Sequence, residues 1–157
     1  MGKLVRKSSP VRKAIDQTLS DVKTLTAKVG YFPSAKYPDG TPIAYVASIQ
    51  EYGVPSKSIP ARPTFRPVMD SQRTIWQQMM AQLSKRVMNG KMSVRESFDA
   101  IGLVAAGEVR AAISTLTTPV LKHGTIAARV RRGNSSVKPL VDTGMMLAHL
   151  TNVTESK

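Results

Sequence analysis

The sequence predicts an α+β fold: two long helices, an αα-hairpin, packed on a small, mainly antiparallel sheet, with an extended proline-rich arm leading into them. Three observations predict it. Apolar residues recur at three- and four-residue spacing through 67–88 and again through 94–116. Short alternating stretches sit near both ends and do not interleave with helices as βαβ units. Pro60, Pro63 and Pro67 fall within eight residues, fixing φ at three places and removing three backbone donors. Each also pushes the residue before it out of the helical region. With 157 residues the chain is read as one domain over 10–157, preceded by a basic, flexible segment over 1–9.

The elements follow in order. From Pro10, the spacing of Val11, Ile15, Leu19 and Val22 predicts an amphipathic helix to about Lys23, with proline in its permissive first turn. Residues 25–32 alternate, carry β-branched and aromatic side chains and end at Pro33, which predicts a strand. Tyr37-Pro38-Asp39-Gly40-Thr41-Pro42 is a turn: proline sets φ, Asp39 can bond its own backbone, and Gly40 accepts positive φ. Residues 43–52 read as a short helix that Gly53 ends, although their β-branching leaves a strand open. The proline arm occupies 54–63.

A long helix is predicted over 67–88, with Val68, Ile75, Met79, Leu83 and Val87 as its apolar stripe and Trp76 and Met80 beside it. Asn89-Gly90 stops it. Ser93 with Glu96 three residues on is a capping box that opens the second long helix, which runs to about Leu116. Its wide apolar face includes Phe98, Ile101, Leu103, Val104, Val109 and Ile113, and small residues such as Gly102, Ala105 and Ala106 allow close packing. Thr117-Thr118-Pro119 breaks it. A short helix is expected over 125–132, a tight apolar turn over 139–144, and a short helix running into a strand over 145–153.

Net charge is +13, from 23 Lys and Arg against 10 Asp and Glu. Such a balance favours acidic partners, either nucleic acid or the acidic face of a protein. Lys3, Arg6, Lys7, Arg12 and Lys13 crowd the start, and Arg129, Arg131, Arg132 and Lys138 crowd a second segment. Neither cluster contains an aromatic residue for base stacking, so any contact with DNA is expected at phosphates, without sequence readout. The chain has no cysteine, which excludes disulfides and thiolate metal sites. The basic start is followed by Ser8-Ser9-Pro10 rather than an apolar secretion segment, and no apolar run is long enough for a membrane span; a cytoplasmic protein is expected.

No catalytic, cofactor or metal constellation assembles from these residues. His123 and His149 stand alone, the carboxylates pair with no neighbouring histidine, and no phosphate-cradling glycine loop or nucleophile elbow is present. His149 reads as a half-buried structural residue and His123 as a surface one. The expectation is a protein that is not an enzyme and needs no cofactor.

Three stretches carry a resemblance. Residues 37–47 lead into Ile49-Gln50-Glu51-Tyr52-Gly53; then comes Ile59-Pro60-Ala61-Arg62-Pro63-Thr64-Phe65-Arg66-Pro67; near the end stands Lys138-Pro139-Leu140-Val141-Asp142-Thr143-Gly144-Met145-Met146-Leu147. In this order, over roughly 29–153, they resemble the neck and tail-completion proteins of tailed bacteriophages, including the Mu-like virion morphogenesis proteins. Thr64 stands where that pattern has Phe, with Phe65 one place later, and Met145 follows the glycine where Arg often stands.

The resemblance implies a structural virion protein at the head–tail junction, assembled in the host cytoplasm as a ring of identical subunits around the DNA channel. Its partners would be other copies of itself, the head–tail adaptor, head-closure or tail-terminator proteins and the tail tube, with packaged DNA nearby and no membrane. Collar, head closure, tail terminator and tail completion all stay open as positions. Within that reading Pro60, Ala61, Arg62, Pro63, Phe65 and Arg66 are expected at a subunit or partner interface, with Arg62 and Arg66 meeting a neighbour's carboxylates. The alternative is that the arm packs on its own subunit and routes the chain into the long helix. Pro139, Leu140, Asp142, Thr143 and Gly144 are expected as a structural turn, with Asp142 capping and Gly144 at positive φ, in preference to the alternative of direct partner contact. The two basic clusters are expected to face an acidic partner or DNA.

Overall fold

The computed structural model describes residues 10–156. The flexible segment expected over 1–9, with Lys3, Arg6 and Lys7, lies outside the described residues. The element order is α1 (Pro10–Thr24), β1 (Leu25–Gly30), α2 (Ile43–Tyr52), α3 (Phe65–Met88), α4 (Val94–Thr115), α5 (His123–Arg131), α6 (Met145–His149) and β2 (Thr151–Ser156). The fold is α+β, with two long helices and one two-stranded sheet. β1 and β2 pair antiparallel, Leu25 opposite Ser156 and Gly30 opposite Thr151. A two-stranded ribbon is marginal alone. Here both strands pack on α4, which also carries α3.

Helix α4 is the centre of the molecule because its sequence lets neighbours come close. Gly102 is buried, and a Cβ there would lie 3.0 Å from the Asn152 side chain of β2. Ala105 and Ala106 are buried on the same helix, and Val109 and Ile113 extend the contact to Val68 of α3 and to Leu150. Full burial of each such aliphatic side chain contributes roughly 1.5–3 kcal/mol. Its start is held by the capping box: Glu96 N donates to Ser93 Oγ at 3.2 Å and Ser93 N donates to Glu96 Oε2 at 2.7 Å.

Helix α3 starts two residues earlier than the prolines suggest. Pro67 sits inside the first turn, where a missing N–H costs little because those donors have no intrahelical acceptor. The stripe is also rotated from the expected one. Val68 and Leu83 are buried, but Ile75 is 53 % exposed, and Trp76 takes the inward place. Trp76 Nε1 donates to Glu108 Oε2 of α4 at 2.7 Å, so the polar edge of the ring is satisfied between the helices. Leu103, expected on the apolar face of α4, points outward and is 64 % exposed.

The 37–42 turn forms as the residue types require. Thr41 N donates to Asp39 Oδ1 at 2.9 Å, and Gly40 has φ 83°. This turn delivers Ile43, fully buried, into a second small core with Ala35 and Met146. Among the described residues, no helix is long and apolar enough to cross a membrane.

Candidate functional site

The three stretches singled out in the sequence come together on one side of the molecule. The first two are joined by a buried carboxylate. Glu51, in the last turn of α2, accepts from the backbone amides of Thr64 (2.7 Å), Phe65 (3.1 Å) and Arg66 (3.1 Å), the opening residues of α3. Arg66 Nε adds a fourth donor at 3.2 Å. Helix α3 has no acidic residue in its first turn, and Thr64 gives no side-chain cap. Glu51 therefore supplies from a distance the negative charge that a helix start attracts. Burial pushes its carboxyl pKa up, but the three amides and the Arg66 guanidinium outweigh that, and the net shift is downward.

Tyr52 and Gly53 complete this clamp. The Arg66 guanidinium lies 4.8 Å from the centre of the Tyr52 ring, within cation–π range. Gly53 ends α2 with φ 72° and ψ 171°, a conformation essentially restricted to glycine. It also has no room for a side chain: a Cβ would lie 2.7 Å from Ala61 N and 2.9 Å from Ile59 O. Residues 54–63 are thus not a freestanding arm. They turn tightly through a 3-10 segment at Pro55–Lys57, close an isolated bridge between Val54 and Ile59, and return against α2, where Arg62 N donates to Gln50 O at 2.6 Å.

Arg62 is turned inward. It is 6 % exposed. Its Nε donates to Pro119 O (3.0 Å), Nη1 to Gln50 Oε1 (3.2 Å) and Nη2 to Val120 O (3.2 Å). Both arginines expected to meet a neighbour's carboxylates make bonds within their own chain, Arg62 to neutral oxygens and Arg66 to Glu51. Phe65 packs edge-on against Tyr31, with ring centres 6.2 Å apart. Pro60 and Ala61 are exposed, and Pro63 is half-buried.

The third stretch is held by the second basic cluster. Arg129, 5 % exposed, donates through Nη1 to the carbonyls of Lys138 (2.7 Å), Ser136 (3.1 Å) and Val141 (3.3 Å). Its Nε lies 3.6 Å from Asp142 Oδ1, an ion pair too long for a hydrogen bond, and the Nε–H has no acceptor among the described residues. Arg132 Nη2 donates to Asp142 Oδ2 at 2.9 Å, and Asn134 Nδ2 to Oδ1 at 2.7 Å. Asp142 therefore gathers three side chains and does not cap the turn as expected. Gly144 has the expected positive φ, 76°, but Leu140 also sits at φ 61°, which no residue type there foretold. Pro139 is fully buried, and Thr143 Oγ1 accepts from Met145 N at 3.5 Å.

Between these parts lies a cleft of about 570 Å³. The 58–62 loop forms one wall, α5 with the chain before it a second, and the 140–146 turn a third. Of the basic residues expected at a partner or DNA, Arg129 is buried and Arg132 is committed to Asp142. Lys138 is exposed, with Nζ 3.5 Å from Ser114 O, and Arg131 is exposed at the end of α5. Arg12 and Lys13 are exposed on α1, away from this cleft's lining. Glu51 as the joint between the two motifs was missed in the sequence. Its signal was there: it is the sole acid between Asp39 and Asp70, upstream of a long helix whose first turn has none.

Comparison of the chain with protein-family models, with curated proteins and with solved structures finds no match.

Proposed function

We propose that this chain is a structural protein of a tailed-bacteriophage virion, acting at the head–tail junction as a homo-oligomeric ring around the DNA channel that joins the capsid-side connector to the tail. The observation that carries the reading is the union of residues 37–53, 59–67 and 138–147 around one cleft. The first two stretches are locked by Glu51 and Arg66, and the third faces Arg62 across the cleft. These are the stretches on which the resemblance to neck and tail-completion proteins rests. A preordered surface lowers the ordering cost of association, which suits a part that must be added to a platform of other proteins. Head-to-tail contacts between identical subunits close into a ring when the rotation allows.

The test is complementation of particle assembly. In particles made without this chain, full heads and finished tails accumulate apart, and adding the purified protein joins them, as counted by negative-stain electron microscopy. Normal joining in its absence overturns the reading.

A second reading, non-sequence-specific binding of nucleic acid, is favoured by the +13 net charge and by the exposure of Arg12, Lys13 and Arg131. Duplex binding by the isolated protein that weakens steeply with salt supports it; no binding at low salt removes it.

A further inference from the structure

Arg62 is a buried cation with no counter-ion among the described residues. Its recorded acceptors are two backbone carbonyls and one amide oxygen, all neutral. A second buried guanidinium, Arg129, stands close enough to add to the depression of the Arg62 pKa that burial itself causes. Removing a charge from water is costly unless an opposite charge meets it. The cleft they line does not supply enough of one. Lys57, Arg62, Lys122, Arg129 and Arg132 face a single carboxylate, Asp142. That carboxylate is already bonded by Arg132 and Asn134 and paired with Arg129.

The shape of the deficit narrows what fills it. At 6 % exposure Arg62 lies too deep for the phosphates of a convex duplex, whereas a carboxylate on a flexible side chain can enter. A guanidinium fork matches a planar carboxylate, and Arg129 Nη2 has no acceptor among the described residues. Ile59, Leu121 and Met146 give the same cleft apolar wall, suited to the residues flanking an acid in a peptide. A second copy of this chain is the poorer source: each copy carries +13, and seven of its ten acidic side chains already accept hydrogen bonds within the chain, leaving the exposed Asp16, Asp70 and Asp99.

We propose that the cleft is a docking site for an acidic, partly apolar peptide segment of a different protein, whose carboxylate completes the charge of Arg62 and Arg129. This names the partner chemistry for the assembly role above and rests on that role only for where the partner comes from.

The test uses the isolated full chain and NMR spectra of its backbone amides and arginine Nε–H groups. Titration with glutarate is expected to move the Arg62 and Arg129 Nε–H signals and the Asp142 and Gly144 amides together, with a dissociation constant on the order of 10 mM for so small a probe. Arg62→Gln is expected to weaken binding about tenfold or more. Lys122→Ala, at an exposed position on the rim, is expected to weaken it several-fold without altering the fold. The Lys122 variant keeps the test usable if the Arg62 variant does not fold. Unmoved signals at saturating glutarate overturn the proposal. So does a response to inorganic phosphate or short duplex DNA without one to glutarate, which would assign the cleft to phosphate. The titration needs no virion, so its failure and a failure of particle joining are separate results.

Discussion

Arg66 holds Glu51 at both ends: its Nε donates to the carboxylate at 3.2 Å while its Nη2 donates to the Glu51 backbone carbonyl at 2.8 Å. The same guanidinium covers Tyr52. One side chain on the first turn of α3 thereby fixes the end of α2, and the loop between them has its ends tied. Arg66 is itself half exposed, so its own ionic contribution is modest, about 1 kcal/mol or less. The larger contribution lies with Glu51, which is buried and satisfies three helix-start amides.

Glu51→Ala leaves those amides without an acceptor and is expected to destabilise the fold by about 3 kcal/mol. For a chain of this size that corresponds to a fall in Tm of about 6–12 °C. Glu51→Gln keeps one carbonyl acceptor and is expected to cost about half as much. Urea or thermal unfolding of the two variants checks the order; equal stability of Glu51→Ala and wild type would show that the amides find other partners.

The same carboxylate sets a pH dependence. Its folded pKa lies below the ordinary value of 4.5. Its stabilisation is therefore fully present above that value and is lost as pH falls through the folded pKa. The stability difference between wild type and Glu51→Gln is expected to be flat above about pH 5.5 and to shrink as the solution is acidified below about pH 4.5. Comparing the two proteins removes the parallel contributions of Asp39 and Glu96, whose pKa values are also lowered. A difference that grows on acidification would reverse the assignment.

Gly53→Ala is expected to cost about 3 kcal/mol or more, because it combines a conformation reserved for glycine with a collision against the backbone of Ala61 and Ile59. Gly90→Ala is the control. Gly90 also has positive φ, 68°, but open space around its missing side chain, so its cost is expected near 1 kcal/mol. Equal losses at the two sites would mean that the close approach of 59–61 to α2 contributes nothing.

Local chemistry made much of this fold legible. The capping box at Ser93, the breaker at Asn89-Gly90 and the small residues of α4 act within a few positions of themselves, and each does what its residue type dictates. The proline arm shows where such reading stops. Three prolines establish that 60–67 is no ordinary helix interior, but not whether the stretch leaves the surface or lies on it. That depends on Glu51 and Gln50, more than ten residues earlier, and on the Pro119 and Val120 carbonyls, nearly sixty residues later. The rotation of α3 was hidden for a related reason: Ile75 and Trp76 both fit an apolar stripe, and Glu108 on another helix decides between them.

The second basic segment contains a buried brace that a charge-preserving substitution breaks. Arg129→Lys keeps the charge but loses the fork that holds three carbonyls of 136–141, and is expected to cost about 2–3 kcal/mol. Asp142→Asn removes the partly exposed counter-charge and is expected to cost about 2 kcal/mol. Both act on one network, so the double variant is expected to lose less than the sum. Strict additivity in urea unfolding would show that Arg129 and Asp142 act independently.

Trp76 is the sole tryptophan, so its emission reports one place, the contact of α3 with α4. Its Nε1–H is bonded to a carboxylate, a charge-assisted bond worth about 1.5–3 kcal/mol against an unsatisfied donor. Glu108→Leu removes the acceptor and leaves the indole N–H facing an apolar side chain. The expected result is a blue-shifted emission together with a loss of stability of about 2 kcal/mol. Glu108→Gln retains an acceptor oxygen and is expected to recover most of the stability while keeping the wild-type emission. Unchanged emission and stability in Glu108→Leu would mean that apolar packing through Val68, Val109 and Ile113 alone holds the two helices together.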